Sequence, residues 1–386
     1  MRFPEYSDKW LECELQDIAD LSKGAGISKD QLSETGESCI LYGELYTKYK
    51  SEVISNVVSK TDIESTNLVR SKANDVIIPS SGETAIDIST ARCVPYDNIL
   101  LGGDLNIIRL KNQDGRFFSY QLNGVRKLDI AQIAQGVSVV HLYGESLKRL
   151  KVRYPSKSEQ EKISSLLSVL DERIETQNRI IKELQSLISG ITHKISKHST
   201  VRRTMLKELL CERHEKNSLL FPVHSVSVSE GIVNQIEYLG RSFSAADTSN
   251  YNVAHKGDII YTKSPTGDFP FGIVKRSAIE TNVAVSPLYG VYQPVSDEVA
   301  VYLHYYFCSP LNAQNYLHKL IQKGAKNTIN ITNQRFLENY VPLPDKDTLS
   351  KFVLLMNVVS EKLNSEKSLL NALQSQKSYL LKEMFV

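Results

Sequence analysis

The 386-residue chain carries almost no net charge: 46 Lys and Arg stand against 44 Asp and Glu, a formal +2. Charge alone therefore gives no sign of a nucleic-acid binder, and any electrostatic footprint must be local or come from a partner. No apolar run approaches the ~18 residues that span a bilayer. The opening Met1-Arg2-Phe3-Pro4-Glu5 lacks the apolar stretch of a signal peptide. Cysteine is scarce and unpaired. Cys13, Cys39, Cys93, Cys211 and Cys308 are odd in number, widely spaced and without a CxxC pair. This argues against a disulfide framework or a Cys-type zinc site and places the chain in the cytoplasm.

Catalytic signatures are missing as well. There is no GxxxxGK[ST] loop and no HExxH pair. A GxSxG elbow fails because Gly144-Glu145-Ser146 is followed by Leu147-Lys148. Gly24-Ala25-Gly26 lacks the third glycine of a dinucleotide site. No Asn/Asp-Pro-Pro-Tyr/Phe run marks an adenine methyltransferase. His193 and His198 have no acidic or Cys partner to complete a metal set. Asp87, Asp104 and Asp258 read as turn residues. Neither a metal nor a cofactor is expected on this chain.

What the chain has is a copy of itself. At a shift of 189 residues, Val152 to Ile195 falls on Val341 to Met384, with Pro155 on Pro344, Glu172 on Glu361, and Leu184-Gln185-Ser186 on Leu373-Gln374-Ser375. Upstream, Val140 meets Ile329 and Leu147 meets Phe336 at the same shift, and Asn74-Asp75-Val76-Ile77 resembles Gly257-Asp258-Ile259-Ile260. Solenoid repeats run ~20 to 50 residues, so this longer period describes a duplicated unit of one domain and one helix.

The helices follow from a strict alternation of four- and three-residue steps. The first seam reads Ile163, Leu167, Leu170, Ile174, Gln177, Ile181 and Leu184, continuing to Ile195. The second reads Phe352, Met356, Val359, Leu363, Glu366, Leu370 and Leu373, continuing to Met384. A 3.5-residue period sustained over several heptads is that of a coiled coil. Pro155-Ser156 and Pro344-Asp345 give the start signals, with Glu159 positioned to complete a capping box on Ser156. At ~1.5 Å per residue each helix extends about 60 Å. Gln177 and Glu366 put one polar layer near the middle of each seam, which fixes register at a cost in stability.

The expected organisation is mixed α/β: 1–154 a first domain, 155–197 a central helix, 198–344 a second domain and 345–386 a C-terminal helix. The basic run from Arg202 to Lys216 reads as a linker, and Val299 to Leu320 as helical. Loops carry the candidate chemistry. Tyr42, Tyr46, Lys48 and Tyr49 interleave aromatic and basic groups that suit bases and phosphates. Ser80, Ser81 and Thr84 flank Gly82, where hydroxyl donors sit beside a close-approach glycine. Lys263, Ser264 and Thr266 occupy the comparable place in the second copy. Ser138, beside Gly136, corresponds to the Lys323, Lys326 and Asn327 stretch, and Lys23 precedes the Gly24 turn.

Taken with the motif Gly136-Val137-Ser138-Val139-Val140-His141-Leu142, the helix start Tyr154-Pro155-Ser156 with Glu159-Gln160-Glu161-Lys162-Ile163 and Leu170-Asp171-Glu172-Arg173-Ile174, and the stretch Ser38 to Tyr49, the chain resembles the specificity subunits of type I restriction-modification enzymes. Only the second helix start departs, with Asp347-Thr348-Leu349-Ser350 in place of Glu-Gln. The resemblance implies a non-catalytic, sequence-specific DNA-binding subunit with internal pseudo-two-fold symmetry. Two target-recognition domains, separated by two long antiparallel coiled-coil spacer helices, would each read one half of a bipartite, asymmetric site. It implies as partners double-stranded DNA, two methyltransferase subunits that carry S-adenosylmethionine, and through them the restriction (translocase-nuclease) subunits. A coiled-coil scaffold that binds only proteins is the competing reading.

Overall fold

The computed structural model describes residues 1–63, 68–241, 244–323 and 329–385. The chain divides into two compact units. The first comprises Met1–Arg179 with Ser368–Val386, and the second Ile180–Lys367.

In the first unit the central strands are buried along their length, which suits a sheet covered on both faces. β1 (Leu11–Glu14), β2 (Ala19–Lys23), β3 (Asp75–Pro79), β4 (Arg92–Val94) and β5 (Leu105–Leu110) are followed by helices α1 (Gly115–Asn123) and α2 (Lys127–Ile133). β6 (Lys151–Tyr154) then leads into the long α3 (Lys157–Ser196). An antiparallel sheet runs β2-β5-β3-β4, and β6 pairs antiparallel with β1. The stretches 37–40, 59–61, 69–70 and 100–101 make a second, smaller sheet. Ile163, Leu167 and Leu170 of α3 enter the main core of this unit beside Val76, Ile108, Phe117 and Phe118.

The second unit repeats the main sheet and its helices, but in place of the smaller four-stranded sheet it has separate pairs, 224–227 with 231–234 and 252–254 with 283–285. β7 (Arg202–Met205), β8 (Leu210–Glu212), β9 (Ile259–Tyr261), β10 (Val274–Arg276) and β11 (Gly290–Pro294) precede helices α4 (Asp297–Cys308) and α5 (Pro310–His318). β12 (Tyr340–Leu343) leads into α6 (Lys346–Glu383). The sheet order β8-β11-β9-β10 and the antiparallel pair β7-β12 reproduce the first unit's connections. The duplication expected from the sequence is thus one of backbone topology.

One expectation needs correction. The run from Arg202 is no linker: β7 and β8 open the second unit's fold, and Leu206, Leu209 and Leu210 are core residues there. The strand was obscured because Arg202 and Arg203 point their charges to solvent. Val299 to Leu320 is helical as expected, in two helices parted where Ser309 caps α5 and Pro310 takes its first position.

The seam residues lie inward. Ile163, Leu167, Leu170, Ile181, Phe352, Met356, Val359 and Leu373 are buried, and Gln177 and Glu366 are buried with them. Ile174, Leu184, Leu363 and Leu370 are half-buried. Within the first unit the early part of α3 packs antiparallel to the end of α6. Asp171 meets Lys377 at 2.6 Å, while Leu373, Leu380 and Met384 share the core with Ile163 and Leu167. Within the second unit, Ile188, Ile191 and Ile195 pack on a core containing Leu349, Phe352 and Met356.

Each helix is fastened to its own domain by its first turn, and the two fastenings differ. Glu159 makes no capping box. It is buried and accepts two 2.7 Å bonds from the guanidinium of Arg2, a partner 157 residues away. Gln160, fully buried, accepts from Asp114 N–H at 3.0 Å and donates to Gln113 Oε1 and Pro155 O. Asp114 in turn caps α1. In the second unit Leu349 stands at the corresponding place as a plain core residue, and Asp345 caps α6 by accepting from the N–H groups of Asp347 and Thr348. Those bonds, with the Thr200 hydroxyl leading, hold the Asp345 carboxyl well below its ordinary range.

Candidate nucleic-acid interface

In the first unit three loop segments meet at one end of the sheet. Ser81–Gly82 pairs antiparallel with Val140–His141, and Leu142 N–H donates to Ser80 O at 2.9 Å. The base of the 136–139 loop is pinched by reciprocal bonds between Gln135 and His141 of 2.9 and 2.7 Å. Gly136 takes φ +120°, and a Cβ there would lie 2.1 Å from Val139 O, so the turn admits only glycine. The pinch pushes Val137, which is 97% exposed, and Ser138 into solvent. Exposed His141 stacks on Tyr143 with ring centroids 6.1 Å apart.

Tyr46 and Tyr42 border the same segments. A Cβ on Gly82 would come 4.0 Å from the Tyr46 hydroxyl. Burial pushes that hydroxyl's pKa up, and Tyr42, Asp87 and Glu83 push it further. Thr84 is exposed and caps the 85–88 turn by accepting from Asp87 N–H at 3.1 Å. The local set is therefore aromatic, hydroxyl and acidic. Such groups suit base edges more than phosphates, since a carboxylate accepts from the cytosine amino group and a hydroxyl serves as donor or acceptor. Lys23 stands exposed at the end of β2 and pairs in register with Asn106.

Other predicted residues have different duties. Tyr49 is corrected to a core residue: it is buried and its hydroxyl accepts from Val58 N–H. Lys48 donates to Glu44 at 2.6 Å and to Ser59 at 2.9 Å. Ser80 and Ser81 are buried, so their part at the loop end is carried by backbone. Asp258 is no simple turn residue, being buried in a two-point pair with Arg213.

In the second unit Lys263 is half-buried just after β9. Burial lowers its pKa, and Glu212 opposes that shift. Ser264 and Thr266 are exposed on a tip closed by reciprocal Thr266–Phe269 backbone bonds. Lys326 and Asn327, and the side chain of Lys323, lie outside the described residues.

Sequence reasoning missed Asn106, His141 and Tyr143. Asn106 is buried, donates to Leu142 O at 2.9 Å and leaves its Oδ1 without a partner, so it sets the loop from beneath. His141 lies within the 136–142 motif, and only its pairing with Ser81 brings it to the loop cluster. Among the described residues no group of three or more His, Cys, Asp or Glu is arranged to hold a metal. Among them, too, no helix is long and apolar enough to cross a membrane.

Two α/β units thus share one main-sheet order, and each is continued by a long helix. A family model, the Type I restriction modification DNA specificity domain, matches residues 7–186 of the chain. The chain's fold is similar to the S subunit of a type I restriction-modification system from M. genitalium, at 19% identity and TM-score 0.66, covering 100% of this chain and 99% of that one. It is also similar to a structure described under complex assembly and conformational transition of the type I R-M system, at 12% identity and TM-score 0.54, covering 97% of each chain.

Proposed function

We propose that this chain is the sequence-reading subunit of a type I restriction-modification complex, with each unit reading one half of a bipartite, asymmetric DNA site. The observation that carries the reading is the recurrence in the second unit of the fold of residues 7–186, the stretch that matches a DNA specificity domain. One reader used twice on an undivided helix suits a target in two parts. The near-neutral charge fits a subunit whose partners supply much of the phosphate attraction.

The helices set the distance between half-sites and dock two methyltransferase subunits, through which the restriction subunits join. Supporting this, Leu166 and Val169 on α3 are exposed, and so are Leu355 and Val358 on α6, each 189 residues later. An apolar pair left open at the same place in both copies suits two identical partners. S-adenosylmethionine belongs to those partners, this chain holds no cofactor, and the complex works in the cytoplasm.

Methylome sequencing tests the reading. Replacing residues 1–150 by those of another family member should change one half of the methylated site and leave the other half and the gap intact. Methylation lost altogether, with the complex still assembled, overturns independent half-site reading. Absence of specific DNA retention by the chain with its methyltransferase favours a protein-binding scaffold instead.

A further inference from the structure

Four of the five cysteines differ sharply from the fifth. Burial pushes Cys39 up to about 11 and Cys93 up to about 12, and raises Cys13. Cys211 is exposed at the sheet edge, and its sulfur approaches Glu212 O at 3.9 Å. Cys308, half-buried at the end of α4, has a built surrounding. Lys275 of β10 donates its ammonium to Cys308 Sγ at 3.3 Å, and His304, one turn back on α4, places Nε2 at 3.8 Å.

Arg276 N–H donates to His304 Nδ1 at 3.2 Å, which holds the ring with Nε2 aimed at the sulfur. Lys275 is itself buried, with Cys308 as its hydrogen-bond partner, and a buried ammonium requires a counter-charge. The thiolate supplies it. Burial raises the Cys308 pKa, but His304 and Lys275 more than reverse this and bring it down to about 6. Tyr305 also faces the sulfur, as does Arg276, whose guanidinium is engaged by Asp297.

The fold itself does not require this trio. In the first unit, Arg92 occupies the β4 place that Lys275 takes in β10. It is satisfied by the carbonyls of Leu45, Ala91 and Tyr49, and Asn123 closes α1 by donating to Ala91 O and Ser119 O. Neutral and carbonyl-bonded groups fill the same corner of the same topology.

We propose that Cys308, His304 and Lys275 form a thiolate site in the second unit that is covalently modified by small electrophiles, with peroxides as the chemical class. The thiolate attacks one peroxide oxygen, an S–O bond forms as the O–O bond breaks, and sulfur loses two electrons to the peroxide. The product is a sulfenic acid, and the departing hydroxide takes a proton from solvent. An electrophile that caps the sulfur as a neutral thioether instead leaves Lys275 buried without its counter-charge, which loosens α4 from β10.

The test uses the full chain in its native state. Iodoacetamide labelling at Cys308 is followed by peptide mass spectrometry across pH, beside N-acetylcysteine as reference thiol. The readout is the midpoint of the rate profile, because a low-pKa thiolate is also intrinsically less nucleophilic. A midpoint near pH 6 is expected, against about 8.5 for an ordinary thiol. Hydrogen peroxide followed by a 1,3-diketone trap should tag Cys308 ahead of Cys39 and Cys93. K275M should raise the midpoint by about one unit or more, a tenfold change in proton affinity. A wild-type midpoint at the ordinary value, labelling of Cys308 only after denaturation, or an unmoved midpoint in folded K275M overturns the site. The wild-type profile decides even if K275M does not fold.

Discussion

The two units share a strand order and differ in what lies under their helices. In the first, Lys377 reaches inward from α6 to pair with both Glu52 and Asp171, and Asp171 also accepts from Tyr120 (2.7 Å) and Ser51 (2.8 Å). In the second, Tyr305 and Ser360 hydrogen-bond where the first has Tyr120 and Asp171, and apolar Ile188 stands where it has Lys377. One junction is ionic and the other neutral, yet the backbone plan is the same. Topology here follows the apolar pattern, and buried charge is a local option laid over it. The same holds for the buried aspartates. Asp75 and Asp258 occupy equivalent strand starts and each binds an arginine at two points. One arginine, Arg109, comes from β5, and the other, Arg213, follows β8.

The comparison can be broken most sharply at Lys377. Lys377→Met strands two buried carboxylates and should cost about 3–5 kcal/mol in the first unit. Urea unfolding followed by hydrogen exchange on peptides from α1 and α4 would show whether the loss stays in that unit. Asp75→Asn and Asp258→Asn should each cost about 2–3 kcal/mol, since both remove a charge-assisted pair. Unequal losses would mean that the strand supplying the arginine matters. Ser360→Asp builds half of the ionic junction into the second unit and should cost about 1–2 kcal/mol. Adding Ile188→Lys should recover most of it, and no recovery in thermal melts would show that the second unit cannot accept the ionic form.

The smallest effect is in pH. Burial lowers the Lys377 pKa, but Glu52 and Asp171 reverse this and leave it raised. Its contribution is therefore complete below the unfolded value of about 10.4 and is lost only as pH climbs through the folded one. Cys308 has the opposite sign: its folded value is lowered to about 6, so its contribution is complete above the unfolded thiol value and is lost as pH falls through about 6. Acidifying from about pH 9 to 6 should weaken α4 protection while leaving the Lys377 contribution in place. Equal weakening of α1 and α4 peptides would remove this distinction.

The helices and the duplication were legible because a heptad seam is a local pattern, and Ile163 to Leu184 needs no distant partner to be read. Glu159 was misread for the opposite reason: its partner, Arg2, lies far away in sequence, and local spacing favoured a cap. Tyr42, Tyr46 and Tyr49 are indistinguishable as a string. Only the fold turns Tyr49 into the core while its neighbours stay half-buried. Asn106 carried no signal, because its role is to hold a carbonyl in a loop that returns 36 residues later.

α3 runs unbroken over Lys157–Ser196, so any change in its length also changes its rotation. Each added residue advances the helix by ~1.5 Å and turns it by about 100°. One extra residue would swing the seam a quarter-turn out of phase, whereas four restore its face to within about 40° at a gain of ~6 Å. Such a helix works like a gear with few usable teeth. If the units read DNA, viable spacers should come in steps of about one helical turn, and the gap between recognised half-sites should widen by whole base pairs. Methylome sequencing of variants with one to four inserted residues would expose that discreteness, with activity lost at one and two and regained at four. A smooth tolerance of every length would mean that the helix does not transmit its phase.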